Sequence, residues 1–125
     1  MSSRKKVVYV AGPFLGPNAW AIEQNIRVAE ELALEAWKEG AAVICPHTNT
    51  RFFQGAAPDN IWLEGDLELV RRSDAVLTAP GWVLSSGACK EVDLANELGL
   101  SVFHGYWIDG HPRLPAHFLA WVDKP

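Results

Sequence analysis

The sequence predicts an α/β fold, a three-layer sandwich in which helices cover both faces of a central parallel sheet of four to five strands. Three observations predict it. Short apolar runs rich in β-branched residues alternate with longer segments of helical periodicity, in the order βαβαβαβ. Strands separated by helices pair in parallel, with right-handed crossovers that cover both faces of the sheet. No repeat, linker or second domain divides the 125 residues, so they are read as one domain, with a core over about 7–103 and a tail over 104–125.

Val7 to Ala11 (VVYVA) is the first strand, ending at Gly12-Pro13, and a strand this early is expected mid-sheet. From Ala21 to Glu39 the apolar positions Ile22, Ile26, Ala29, Ala33, Ala36 and Trp37 recur at helical spacing, with Gly40 as the C-terminal stop. Ala42 to Cys45 is the second strand, stopped by Pro46, and Pro46 to Pro58 is a polar loop that can lie over a pocket. Asp59 to Arg72 carries Trp62, Leu63, Leu67, Leu69 and Val70 in a helical pattern, and Asp74 to Thr78 is the third strand. Ser85 or Ser86 caps a helix running to about Leu98, Gly99 ends it, and Ser101 to Phe103 is the fourth strand. The tail holds Pro112, Pro115 and a short helix from Ala116 to Trp121.

Composition narrows the function classes. Apolar residues make up 49% and charged residues 21%, which fits a globular domain and neither a disordered nor a fibrous chain. The formal charge of −4, with basic residues scattered apart from Arg4-Lys5-Lys6, argues against a surface that tracks a nucleic-acid polymer. It leaves room for a free nucleotide, whose phosphate backbone N–H groups and hydroxyls can hold. Cys45 and Cys89 have no metal-ligand spacing, and one disulfide is a poor framework for a chain this size, so reduced thiols in a cytoplasmic protein are expected. Arg4-Lys5-Lys6, the apolar run after it and Ala19-Trp20-Ala21 imitate a signal peptide, but Gly12, Pro13, Gly16 and Pro17 break the run too early. No stretch approaches about 18 uninterrupted apolar residues, so no membrane span is expected.

In open parallel sheets ligands bind beyond the carboxyl ends of the strands. That rule selects Gly12-Pro13-Phe14-Leu15-Gly16, His47-Thr48-Asn49, Gly81-Trp82 through Gly87, and His104-Gly105-Tyr106. Two carboxylates share helical stripes with apolar neighbours: Glu91 with Ala88, Val92 and Ala95, and Asp66 with Trp62, Leu69 and Val70. Glu91, within two turns of a helix start, is expected to be held ionised by the backbone dipole, as suits a nucleophile. Asp66, in an apolar setting, is expected to titrate higher and act as an acid or base. Periodicity alone leaves plainer readings open. Either carboxylate can lie at the edge of its stripe, Tyr9 is by default a core tyrosine needing a hydroxyl partner, and Ser85 and Ser86 are by default helix caps. His47 fits a base, a donor to a base edge or an ordinary loop histidine, the last by default. His104, His111 and His117 share no zinc spacing, and neither a dinucleotide Gly-x-Gly-x-x-Gly nor a P-loop is present.

Taken in order, Tyr9-Val10-Ala11-Gly12-Pro13-Phe14, Asp66-Leu67 with Asp74 after it, and Pro80-Gly81-Trp82 leading to Ser85-x-Gly87-Ala88-x-x-Glu91 resemble the nucleoside 2-deoxyribosyltransferase superfamily. The resemblance is closer to a branch of short domains of unassigned function, and it runs from about Val7 to Phe103. It implies a flavodoxin-like or Rossmann-like sheet and double displacement at an anomeric carbon. Glu91 matches the glutamate nucleophile, Asp66 the carboxylate that helps protonate the leaving base, and Tyr9 the tyrosine that positions nucleophile or sugar. Ser85-x-Gly87 is similar to the phosphate cradle of the superfamily's nucleoside 5′-monophosphate N-hydrolases. With the turn from Gly12 to Gly16, it implies a monophosphate substrate. Trp82 and the loop of His47 and Asn49 belong to the short branch rather than the characterised transferases, so they are substrate contacts without an implied base. Water as acceptor makes a hydrolase and a second base a transferase, neither needing a metal or a cofactor. Sites in this superfamily are commonly completed across a homodimer, so a second copy is the expected partner beside a small nucleoside or nucleotide.

Two other classes stay open. One is a non-catalytic nucleotide sensor on the same fold, since fold does not determine function. The other is a phosphoribohydrolase of the cytokinin-activating kind, whose Pro-Gly-Gly-x-Gly-Thr is absent because Trp82 follows Gly81 and Ala88 follows Gly87.

Overall fold

A computed structural model describes residues 4–124. The chain runs β1 (Val7–Ala11), α1 (Ala19–Lys38), β2 (Ala42–Ile44), α2 (Pro46–Asn49), α3 (Asp59–Arg71), β3 (Ala75–Thr78), α4 (Ser86–Glu97), β4 (Ser101–His104), β5 (Tyr106–Ile108), β6 (His111–Arg113) and α5 (Ala116–Val122). The first four long strand runs form one parallel sheet in the order β2-β1-β3-β4, with Tyr9 level with Ile44 and Val76, and Val76 level with Val102. This is the expected flavodoxin-like, Rossmann-like three-layer arrangement, with β1 in the interior of the sheet.

The pleat of β1 sorts its side chains onto two cores. Val8 and Val10 join Ala75, Leu77 and Phe103 on the face covered by Ala29, Leu32, Ala33 and Ala36 of α1. Tyr9 and Ala11 join Val76 on the face covered by Val70 of α3 and Ala88, Val92 and Ala95 of α4. The sheet is laid down outward from β1 in both directions, first to β2 and then back past β1 to β3, so strand order reverses between β1 and β3. Ligand crevices open at such reversals, beyond the carboxyl ends of the strands.

α1 and α4 are bounded as their sequences suggest. Asn18 caps α1 by accepting from the Ala21 N–H at 2.8 Å, and Ser85 caps α4 by accepting from Ala88. Gly40 follows α1 and Gly99 follows α4 with left-handed backbones that other residues adopt at a cost. Among the described residues no helix is long and apolar enough to cross a membrane.

Two regions depart from the sequence reading. The loop expected from Pro46 to Pro58 begins with a helical turn, α2, because the fixed φ of Pro46 suits a first helical position as well as it stops a strand. The tail is not peripheral. Tyr106–Ile108 and His111–Arg113 pair as an antiparallel hairpin separate from the main sheet, through a turn in which Asp109 and Gly110 both have positive φ. Behind it, Phe118 of α5 is fully buried against Phe103, edge to face with centroids 5.3 Å apart. The tail therefore completes the core beneath α1.

Candidate active site

The α3–α4 face of the sheet carries the one buried group of titratable side chains that the helical stripes predict. Tyr9, two residues before the end of β1, is completely buried beneath α4. On α4 the buried positions are Ala88, Glu91, Val92 and Ala95, one stripe down the helix, so Glu91 faces the sheet. The Tyr9 hydroxyl donates to Glu91 Oε2 at 2.5 Å. Asp66 lies half-buried on α3, which packs beside α4, and its charge is felt by both Tyr9 and Glu91. Tyr9, Glu91 and Asp66 thus come together from three elements separated widely in sequence.

Burial dominates the electrostatics of this group. It pushes Glu91 up to about 8, against the lowering pull of the Tyr9 hydrogen bond and with a further rise from the negative charge of Asp66, which ionises first. Burial alone raises Asp66 to about 6. The expectation that Glu91 is held ionised is therefore overturned. Glu91 lies beyond the first turn of α4, where the dipole has faded, and desolvation outweighs it. Burial and the two neighbouring carboxylates hold Tyr9 far above the usual phenol range, so it remains a donor. Between about pH 6 and 8 Asp66 is ionised and Glu91 holds its proton, so the two carboxyls carry one proton between them. A group that is at once carboxylate and carboxylic acid can attack an electrophilic carbon and protonate a leaving group.

The other expected contacts fall around this centre at varying distance from it. The turn after β1 approaches the end of β3 so closely that a Cβ on Gly12 would stand 2.7 Å from Ala79 Cβ, while Gly81 faces Pro13. Trp82 packs on the Tyr9 core, and its ring stacks on His104 at 5.3 Å and 7°. Ser85 Oγ is used to cap α4, as the plainer reading has it, with Gly87 in the first turn. Phe14 is half-buried, its ring 5.9 Å from that of His47. His47 is no open loop histidine: it is 4% exposed and bonded through Nε2 to the Pro13 carbonyl oxygen at 2.8 Å. Asn49 is exposed at the end of α2 and is not drawn into the carboxylate group.

Two features escaped the sequence reading. Thr78, the last residue of β3, is fully buried and hydrogen-bonds His104 Nδ1 at 2.7 Å, so His104 is oriented against Trp82. The level pairing of Thr78 with His104 is visible only once the register is known. Trp62 lies one helical turn before Asp66, with its Nε1 buried and unpartnered among the described residues and its ring 5.7 Å from Phe53. A cleft of about 450 Å³ between α1 and the hairpin, which Val28, Glu31, Trp107 and His111 help line, lies across the sheet from the carboxylates. It is separated by the sheet from the Tyr9–Glu91 pair and is not the catalytic candidate. Among the described residues no three His, Cys, Asp or Glu side chains form a metal-holding group.

Fold and site together define a parallel α/β domain with a buried tyrosine–carboxylate group at the topological reversal of its sheet. The profile of a family described as a domain of unknown function (DUF7768) matches residues 6–104, and the chain belongs to that family. The matched span contains the sheet and all three carboxylate-site residues; the hairpin and α5 lie beyond it. No curated protein matches the chain.

Proposed function

We propose that the protein is an N-glycosidase that cleaves the base–sugar bond of a (deoxy)nucleoside 5′-monophosphate. The observation that carries this reading is the buried Tyr9–Glu91 pair with half-buried Asp66 near it, the two carboxyls carrying one proton between them near neutral pH, on Glu91. The ordered motifs that resemble the nucleoside 2-deoxyribosyltransferase superfamily support it. In the reaction the proton that Glu91 holds at neutral pH passes first to Asp66, so that ionised Glu91 attacks the anomeric carbon as the C–N bond breaks and the leaving base takes its proton from Asp66. Tyr9 keeps its hydroxyl on Glu91 and steadies the attacking oxygen. Water then gives a proton to Asp66 and its oxygen to the anomeric carbon, freeing the sugar phosphate and Glu91. A second base in place of water yields a transferase.

Ser85, Gly87 and the α4 N-terminus are the groups that fit the 5′-phosphate, and Gly12, Pro13, Phe14 and Trp82 the sugar and base. The two free cysteines suit a cytoplasmic setting. A homodimer belongs to the same reading. The half-exposed Tyr106, Trp107 and Ile108 of the hairpin support it, and sedimentation is expected to give twice the chain mass.

One observation favours a second reading. With Glu91 raised to about 8, the unliganded pair is short of a ready nucleophile at neutral pH, which suits a nucleotide-binding sensor. Incubation with deoxynucleosides and their monophosphates, alone and with a second free base, separates the readings. Released or exchanged base that vanishes in Glu91→Gln is expected. Tight binding by calorimetry with the ligand recovered intact would instead establish the sensor.

A further inference from the structure

The turn from Gly12 to Gly16 leaves β1 beside the carboxylate site, and its outer residues Leu15 and Gly16 are exposed. Side chains from two other elements hold it. The His47 ring on α2 meets the Pro13 carbonyl oxygen at 2.8 Å. A carbonyl only accepts, so Nε2 carries the proton, which settles the tautomer. From α1, Asn25 Nδ2 donates to the carbonyl oxygens of Phe14 at 3.1 Å and Leu15 at 3.3 Å. Three successive carbonyls are therefore turned onto side-chain donors. The ends are fixed by close approach: a Cβ on Gly16 would stand 2.8 Å from Ala21 Cβ, as one on Gly12 would crowd Ala79.

The imidazole gains little for the core from being where it is. Its Nδ1 is buried and has no partner among the described residues, an arrangement that costs free energy and that an apolar side chain would avoid. Burial lowers its pKa although the Pro13 and Gly12 carbonyls favour the charged ring, so it stays neutral with one N–H to give. That N–H goes to the turn.

We propose that His47 is a positioning residue: its Nε2–H, with Asn25 opposite, sets the Gly12–Gly16 turn against the substrate of the Glu91 site, and the ring itself never touches substrate. The proposal deepens the glycosidase reading and rests on it for the identity of the site. The clamp itself is measurable without turnover.

His47→Gln keeps an amide N–H close to the place of Nε2, while His47→Leu keeps bulk and loses the donor. Asn25→Leu, at a half-buried position of α1, releases the same turn from its other side should His47→Leu not fold. Backbone 15N order parameters are read at Phe14, Leu15 and Gly16, beside base release with kcat and KM separated. The order parameters at these amides are expected to fall from about 0.85 to about 0.6 in His47→Leu and in Asn25→Leu, to stay near wild type in His47→Gln, and to be unchanged at Val92 and Ala95. Base release by His47→Leu is expected to lose up to about a hundredfold in kcat/KM, with the pH profile keeping its shape and His47→Gln restoring most of the rate. Unchanged order parameters of the turn in the leucine variants, or equal damage in His47→Gln and His47→Leu, overturn the clamp. A pH profile that loses a limb in both His47 variants overturns the positioning role, because the ring would then exchange protons itself. A wild type that releases no base from any substrate defeats the glycosidase reading, and the order parameters still decide the clamp.

Discussion

The two faces of the sheet are built from the same strands and serve different ends. Beneath α1 and α5, Val8, Val10, Leu77, Phe103 and Phe118 form a core of apolar side chains and one thiol. Beneath α3 and α4 the same pleat presents Tyr9 where an aliphatic residue would pack, and α4 answers with Glu91. One face supplies apolar burial, and the other spends part of it on keeping two carboxyls out of water. Stability and chemistry are therefore separable by face, and substitutions on each should give opposite signatures.

The largest contrast is expected from Glu91→Gln. Base release should fall by about a thousandfold or more, since a neutral amide is a far weaker nucleophile than a carboxylate. Stability should move the other way. Glu91 titrates at about 8 in the folded protein against an ordinary 4.5, so between those values the folded state binds more protons than the unfolded chain. The stability this brings is complete below the lower value and lost as pH rises through the upper one. Asp66 acts in the same direction between 3.8 and about 6. The urea midpoint of the wild type should accordingly fall from mildly acid to mildly alkaline pH, by at most roughly 1.4 kcal/mol per unit for one group. Glu91→Gln should flatten that fall and be the more stable protein above neutrality. A steeper fall in the variant would contradict the account.

Phe118→Ala tests the other face. Emptying a fully buried aromatic site is expected to cost about 3–5 kcal/mol by denaturant unfolding. Once folded, the variant should keep the wild-type pH profile of base release; a displaced profile would mean that the faces are coupled.

Tyr9→Phe takes the hydroxyl from Glu91 and is expected to cost about 1–3 kcal/mol at pH values where Glu91 is ionised. Because the Tyr9 hydrogen bond lowers the Glu91 pKa, its loss should carry Glu91 further above 8. Base release in the wild type should follow a bell between about 6 and 8, and Tyr9→Phe should move the upper ionisation to higher pH. A downward move would show that Tyr9 does not donate to Glu91. Gly12→Ala is the smallest change, its Cβ meeting Ala79 at 2.7 Å, with an expected loss of about 1–3 kcal/mol and a turn displaced at the site mouth.

The legibility of the sequence followed the range of the forces involved. Val7–Ala11, the α1 stripe and the glycine stops are local patterns, and strand–helix alternation carried them to the right topology. The inward aim of Glu91 and Asp66 was legible for the same reason. The protonation of Glu91 was not, because helix position is local while desolvation depends on the strands and the neighbouring helix that close over it. The burial of His47 is not legible, because Pro46 reads as a strand stop while it also opens the helical turn that brings the ring to the Pro13 carbonyl. The hairpin was legible in principle: Asp109-Gly110 between Tyr-Trp-Ile and His-Pro-Arg is a strong turn signal, which Pro112 masked.

The most direct test of the central claim is to trap the glycosyl ester. Wild-type protein incubated with the deoxynucleoside monophosphate that the panel selects, quenched in acid during turnover and digested, is read by peptide mass spectrometry. The account predicts a sugar-phosphate adduct on the peptide containing Glu91, absent in Glu91→Gln. Base released with the adduct on another residue, or at an undiminished rate in Glu91→Gln, would contradict it.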